Sequence, residues 1–304
     1  MPVRGSQHSS REEGAEAREQ APVRNHHSVM VKEALALLAL KDGEVVVDAT
    51  YGRGGHSKAM KAAAKIKLIT VDADPASGAQ VTANFGDLDK VLAKNLPAGR
   101  QVDKALFDLG WNMTQLSSGR GFSFLVDEPL NMSYGPAPRS GFTAAEALNT
   151  WSEKALADAL FGYGEERYAR RIARAVVERR AVQPFATTIE LVEVIKDAVP
   201  AAYRRGRLHP ATRSFQALRI AVNDELGAIN EGLDAAWRHL RPGGRIVVIT
   251  FHSIEDRRVK QRFASWAKAG AGKLVVKKPL IASLAEVKQN PPSRSAKMRA
   301  IEKI

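Results

Sequence analysis

The stretch Val45-Val46-Val47-Asp48-Ala49-Thr50-Tyr51-Gly52-Arg53-Gly54-Gly55-His56-Ser57 reads as a strand, a glycine-rich turn and the start of a helix. Glycines at such a turn let the backbone bend tightly and approach a ligand at the cofactor end of a sheet. Asp72 closes the next strand candidate 18 residues after Gly54, where a carboxylate can accept both hydroxyls of a ribose. So far a nicotinamide dinucleotide fits nearly as well as S-adenosylmethionine, and a dehydrogenase is the rival reading. Asp48, four residues before Gly52, tips the balance: it suits a cationic amino-acid group and would repel a pyrophosphate. With Asp108 at the end of a third strand candidate, Asp48 and Asp72 make an acidic rim suited to a sulfonium cofactor.

A sheet must hold these carboxylates side by side. Short apolar, β-branched runs at 44–48, 67–72, 103–108 and 245–251 alternate with helical patterns, which predicts an α/β class with a parallel sheet. The long interval before the fourth run is helical in pattern, at 155–160, 165–180 and 188–198. Within it Ala169, Ile172, Ala173, Val176 and Val177 recur at helix spacing. The reading is a discontinuous domain, residues 25–116 and 212–304, interrupted by an inserted helical domain at 117–211. Residues 1–24, with four Arg against four Glu and few large apolar side chains, read as a disordered tail.

A formal charge of +13 implies an anionic partner, because Lys and Arg gain most by neutralising phosphates. Residues 257–304 hold thirteen Lys or Arg against Glu286 and Glu302, so the C-terminal end is the first expected phosphate surface. Arg170, Arg171 and Arg174 form a smaller group on the insert, each alone more often solvated than bound. The absence of cysteine excludes disulfides, thiolate metal sites and thiol nucleophiles, and so disfavours methylation at carbon 5 of a pyrimidine. No apolar run is long enough to span a bilayer and no signal-peptide core is present, which predicts a cytoplasmic protein without membrane contact.

Further motifs carry a resemblance. They include Asp48-Ala49-Thr50 with the glycine turn, Asp108-Leu109-Gly110, Gln115-Leu116, and Arg120-Gly121-Phe122-Ser123-Phe124. Tyr163-Gly164-Glu165-Glu166-Arg167, His209-Pro210-Ala211-Thr212-Arg213, Phe251-His252-Ser253-Ile254-Glu255-Asp256-Arg257 and Ser293-Arg294-Ser295-Ala296-Lys297 follow in order. Over residues 26–303 the chain resembles the ribosomal RNA small subunit methyltransferase H family. The resemblance implies a Rossmann-like S-adenosylmethionine-dependent methyltransferase domain acting on 16S ribosomal RNA or the small ribosomal subunit. It implies methylation of cytidine N4 without a metal or a covalent enzyme intermediate. Cofactor contacts would be Gly54, Gly55, His56, Asp72, Phe85, Asp108 and Gln115, with Phe85 packing on the adenine.

Cytosine N4 is a poor nucleophile because its lone pair is delocalised into the ring, so acceptors for its amino hydrogens are required. Asp108 and Asn112, in the loop after the third strand, and His252, after the fourth, are the expected catalytic residues. Arg213, Gln216 and Asn223 should form a polar substrate face on a helix that buries Phe215, Leu218, Val222 and Leu226, and Arg294 and Lys297 should hold RNA. Two departures from the family stand out. Only Ala73 to Asn84 separate Asp72 from Phe85, where the family has a full helix. In addition, Asn112-Met113 replaces a serine pair, and Asn131 and Ser133 replace Asp and Arg. These departures keep open an RNA-binding paralogue with impaired catalysis.

Overall fold

The computed structural model describes residues 28–110, 113–116 and 118–304, so Asn112 and the expected tail lie outside the described residues. Helix α1 (Val31–Leu38) precedes β1 (Val45–Asp48), α2 (Gly55–Ala63) and β2 (Lys67–Asp72). Next come β3 (Val81–Thr82), α3 (Leu88–Asn95), β4 (Val102–Asp108) and the short α4 (Met113–Leu116). A helical layer follows: α5 (Ala144–Thr150), α6 (Glu153–Gly164), α7 (Ala169–Val182), α8 (Thr188–Ala198), α9 (Ala201–Arg204) and α10 (Thr212–Val222). The chain returns through α11 (Glu225–His239), β5 (Leu240–Thr250), α12 (Ser253–Lys268), β6 (Gly272–Leu274), β7 (Leu280–Ile281), α13 (Leu284–Gln289) and β8 (Lys297–Lys303).

The sheet runs β3-β2-β1-β4-β5-β8-β6, with β7 also paired to β8. Strands β3 to β5 are parallel and β8 is antiparallel to β5. Helices cover both faces, which is why β1 reads as an unbroken apolar run and is buried along its length. Chain order reverses between β1 and β4, so the crevice beyond their carboxyl ends is the ligand position of an open α/β sheet. Asp48, Asp72 and Asp108 end β1, β2 and β4, three adjacent strands, as the sequence leads one to expect.

Two differences from the sequence reading have clear causes. Strand β5 begins at Leu240 because the Pro242-Gly243-Gly244 segment bulges out, shifting the register between Val102↔Leu240 and Lys104↔Arg245. The basic C-terminal end, expected as a phosphate surface, is built into the sheet. Residues 297–303 form β8 inside the sheet, with Met298, Ala300 and Ile301 buried.

Beyond the sheet, Leu156, Leu160, Ile172, Val176, Leu191 and Ile195 form the core of the helical layer. Helix α10 gives Phe215, Leu218 and Val222 to that core and Ile220 to the sheet core, so it is shared by both. The apolar stripe does not continue along one helix to Leu226. Asp224 takes a left-handed conformation (φ 43°), which ends α10 and starts α11, and Leu226 packs on the sheet.

Candidate active site

The two ends of the sheet treat their charges differently. At the amino end, Glu44, Asp103, Lys104 and Arg241 neutralise one another. Arg241 Nε pairs with Asp103, Lys104 Nζ lies 3.6 Å from Glu44, and the Val45 N–H donates to Asp103 at 2.8 Å. Burial works to raise the Asp103 pKa, but the Arg241 contact and that N–H hold it below the usual carboxylate range. This is a structural network. At the carboxyl end, the carboxylates face a glycine turn and one histidine.

The turn from β1 to α2 places Gly52 (φ 56°) and Gly54 (φ 73°) in the left-handed region, where a side chain would be strained. A Cβ on Gly54 would strike the Tyr51 hydroxyl at 2.5 Å, and one on Gly55 would strike Ser28 Oγ at 2.1 Å, so a side chain at either position would displace a neighbour. Space at Gly52 is open. His56, in the first turn of α2, sets Nε2 3.4 Å from Asp108 Oδ2. That is ion-pair distance without an aligned hydrogen bond, and His56 Nε2 and Asp108 Oδ1 are both buried and unpartnered. Burial pulls the His56 pKa down, yet Asp108 holds it above the ordinary histidine value. Orphaned polar atoms beside a glycine turn are what a polar ligand would satisfy.

Asp48 and Asp72 have distinct surroundings. Asp48 is 1% exposed and accepts from Ser57 Oγ at 2.6 Å, so it buttresses the turn from beneath instead of facing a ligand directly. Burial raises its pKa to about 6 against the pull of Ser57. Asp72 is half-buried and accepts the Gly52 N–H at 2.7 Å and the Asp74 N–H at 2.9 Å, leaving further lone pairs for a diol. Burial raises its pKa despite those two bonds. The shortened segment after it closes without a helix: a 3₁₀ turn (Pro75–Ser77) leads to β3, and Gln80 and Thr70 exchange hydrogen bonds at 2.8 and 3.3 Å. Phe85 is half-buried and meets Phe107 edge-on at 6.0 Å, so much of its ring belongs to the sheet core. Gln115 is buried on α4.

A cavity of about 200 Å³ lies between the loop after β4 and α10. Leu116, Phe122, Phe124, Met132, Phe215, Gln216 and Arg219 line it. Gln216 donates to the Tyr163 carbonyl at 3.1 Å, which fixes its side chain in the cavity wall. Arg213 donates to the Glu165 carbonyl at 2.6 Å. Asn223, expected on the same polar face, is 2% exposed. Its amide bonds to the Met132 and Arg219 carbonyls and to the Tyr134 N–H, so it ties the 120–134 loop to α10 and touches no open surface.

Behind the cavity stands a buried network that the sequence reading missed. Arg219 Nε and Nη2, one edge of the guanidinium, donate to the two Glu225 carboxylate oxygens at 2.7 and 3.0 Å, and Tyr134 Oη donates to Glu225 at 2.9 Å. Burial opposes the Arg219 charge, but Glu225 holds it and raises its pKa. One arginine within an otherwise apolar helical run was the available signal. His252 begins α12 as its N-cap: Nδ1 accepts from the Glu255 N–H at 3.4 Å and Nε2 lies 3.1 Å from Glu255 Oε1. Its ring is turned to Glu255, so Nδ1 caps the helix, while Nε2 is buried without a hydrogen-bond partner. Glu225, His252 and Glu255 each bring a ligand atom within 4.8 Å of the others, yet Arg219 occupies Glu225 and the Phe251 N–H occupies Glu255, so no cation is assigned there. Of the C-terminal residues, Lys297 sits 3.5 Å from Asp256 and Arg294 is exposed.

Comparison with known proteins is consistent with this geometry. The model of the MraW methylase family matches residues 23–304. The ribosomal RNA small subunit methyltransferase H of Symbiobacterium thermophilum is 42% identical, over 92% of this chain and 97% of that one. Proteins of the same description from Carboxydothermus hydrogenoformans and Hyphomonas neptunium are 43% and 44% identical, covering 92% and 90% of this chain and 98% and 87% of theirs.

Proposed function

Because the chain belongs to the MraW methylase family, we propose that it methylates N4 of a cytidine in small-subunit ribosomal RNA, with S-adenosylmethionine as cofactor. The cofactor, when bound, supplies an electrophilic methyl group on a sulfonium. The residues present fit it. The turn at Gly52, Gly54 and Gly55 admits close backbone approach, Asp72 offers acceptors to the ribose, and the unpartnered atoms of His56 and Asp108 gain partners. Phe85 and Gln115 complete the proposed contacts.

The observation that carries the reading is that α4, which bears Gln115, also places Leu116 in the wall of the 200 Å³ cavity. Cofactor loop and substrate cavity are thus parts of one short helix. A base must leave its stack to be modified, and a cavity lined by Phe122, Phe124 and Phe215 accommodates one flat ring. Asp108 Oδ1 is the proposed acceptor for an N4 hydrogen, and Asn112 would be a second. Holding the amine and the methyl donor at fixed positions removes most of the entropic barrier. Residues 117–211 are the proposed substrate-recognition insert, with α10 as the wall it shares with the sheet domain.

Purified protein incubated with labelled S-adenosylmethionine and small subunits tests this reading. N4-methylcytidine in the digested RNA is the expected product. Binding of RNA without turnover would favour the impaired paralogue instead.

A further inference from the structure

The charge that meets RNA need not be where the sequence concentrates it. Strand β8 consumes its own cations: Arg299 pairs with Asp256 at 2.7 and 3.1 Å, and Lys303 Nζ donates to the Trp237 and Leu240 carbonyls at 2.8 and 2.7 Å. Arg245, on the neighbouring strand, pairs with Glu302. On the helical layer the situation is reversed. The start of α7 and the end of α9 are locked together: Tyr203 Oη donates to the fully buried Glu166 at 2.5 Å, and the Tyr168 N–H donates to the same carboxylate at 2.8 Å. The Tyr168 and Tyr203 rings meet edge-on at 5.0 Å. Arg167 lies over both rings, 4.9 and 4.8 Å from their centres, and Arg171 lies 6.0 Å from that of Tyr168.

Arg204, Arg205 and, after Gly206, Arg207 follow Tyr203 and are exposed, as are Arg167 and Arg171. Among the described residues, none of these five makes an ion pair, whereas Arg174, one turn further along α7, does so with Glu153. Arg167 lies over the Tyr203 ring and Arg204, Arg205 and Arg207 come within four residues after it, so exposed cations without carboxylate partners are concentrated on a braced segment, where they favour an anion. The face is also continuous with the proposed site. Arg213 acts electrostatically on Tyr203 and donates to the Glu165 carbonyl, and the Glu165 carboxylate accepts from Ser253 at the carboxyl end of β5.

Resting on the rRNA reading above, we propose that this arginine face of α7 and α9 binds the phosphates of the RNA flanking the target base. Planar guanidiniums suit phosphate oxygens, and the tyrosine rings fix Arg167 in place before binding.

Fluorescence anisotropy with a single-stranded RNA oligonucleotide, at a series of salt concentrations, tests the proposal. The variant combining Arg204→Ala, Arg205→Ala and Arg207→Ala should lose roughly tenfold or more in affinity. Its slope of log K against log salt should fall by about 2, since each single-strand phosphate contact contributes about 0.7. Its melting temperature and S-adenosylmethionine affinity should stay at those of the unmodified protein. The comparison variant, Lys277→Ala with Lys278→Ala, should change the slope less. An unchanged slope in the triple variant, while the unmodified protein methylates small-subunit RNA, would overturn the arginine face and leave the methyl-transfer reading standing. A reduced slope with no turnover by the unmodified protein would support the face and reject the methyl-transfer reading.

Discussion

Ser253 Oγ donates to the Glu165 carboxylate at 2.8 Å, joining the first turn of α12 to the residue that ends α6. Arg257 adds a second bond at 3.0 Å, and Glu165 itself is left-handed (φ 50°). Sheet domain and helical layer are pinned at that point, beside the carboxyl ends of the strands.

The two roles of Glu165 separate by substitution. A non-glycine residue in the left-handed region costs about 1 kcal/mol, and exposed ion pairs contribute about 1 kcal/mol or less. Glu165→Ala should therefore be less stable than Glu165→Gly by about 1 kcal/mol in denaturant unfolding, while both lose the bridge to α12. Equal stability of the two variants would show that the backbone there is unstrained.

Asp48 makes stability depend on pH. Its folded pKa of about 6 lies above the ordinary 3.8, so near pH 3 the carboxyl is neutral in folded and unfolded states alike and costs nothing. Ionising it in the folded state becomes costly as pH rises from about 4 to about 6, reaching up to about 3 kcal/mol above that. Without cofactor, Asp48→Asn should gain stability over the unmodified protein at pH 7 and show little gain at pH 4. Parallel unfolding profiles across this window would contradict the assignment.

Asp72→Ala should weaken S-adenosylmethionine binding by about 1 to 3 kcal/mol, the cost of leaving polar partners unsatisfied. Loss of the Gly52 and Asp74 contacts adds to the effect by loosening the turn. Titration calorimetry reads the affinity, and an unchanged value would remove Asp72 from the site.

Truncation after Lys273 removes β8, which stands between β5 and β6. Burying side chains such as Met298 and Ile301 contributes about 1.5 to 3 kcal/mol each, against a net stability of about 5 to 15 kcal/mol for a domain. The truncated chain should show no cooperative thermal transition by circular dichroism. A normal melt would mean that β8 is dispensable.

The legible and illegible parts of this fold differ for physical reasons. Parallel strands buried on both faces advertise themselves as apolar runs, so Asp48, Asp72 and Asp108 could be placed at strand ends from sequence alone. Strand β8 is half covered, and its sequence KMRAIEK hides Met298, Ala300 and Ile301 among charges that turn out to be paired, which made it read as a phosphate surface. Helix periodicity located α7, α8 and α10, but it could not say that Asn223 points into backbone or that His252 caps its own helix. The Asn223 role depends on partners some 90 residues away, whereas the His252 cap is local and lies in the His252-x-x-Glu255 spacing, which apolar periodicity does not register. Tyr134 was missed because it lies 91 residues from the carboxylate it bonds, and the Arg219–Glu225 pair because it spans the break between two helices.

The most direct test compares ribosomal RNA, by mass spectrometry of nuclease fragments, from cells lacking this gene and supplied with either the unmodified protein or Asp108→Ala. Asp108 ends β4, and its Oδ1 is buried and unpartnered beside His56, so its loss should abolish transfer while the sheet stays folded. The account predicts one 16S cytidine carrying an N4 methyl group with the unmodified protein, and the same cytidine bare with Asp108→Ala or with no gene. Identical cytidine methylation in all three would contradict it.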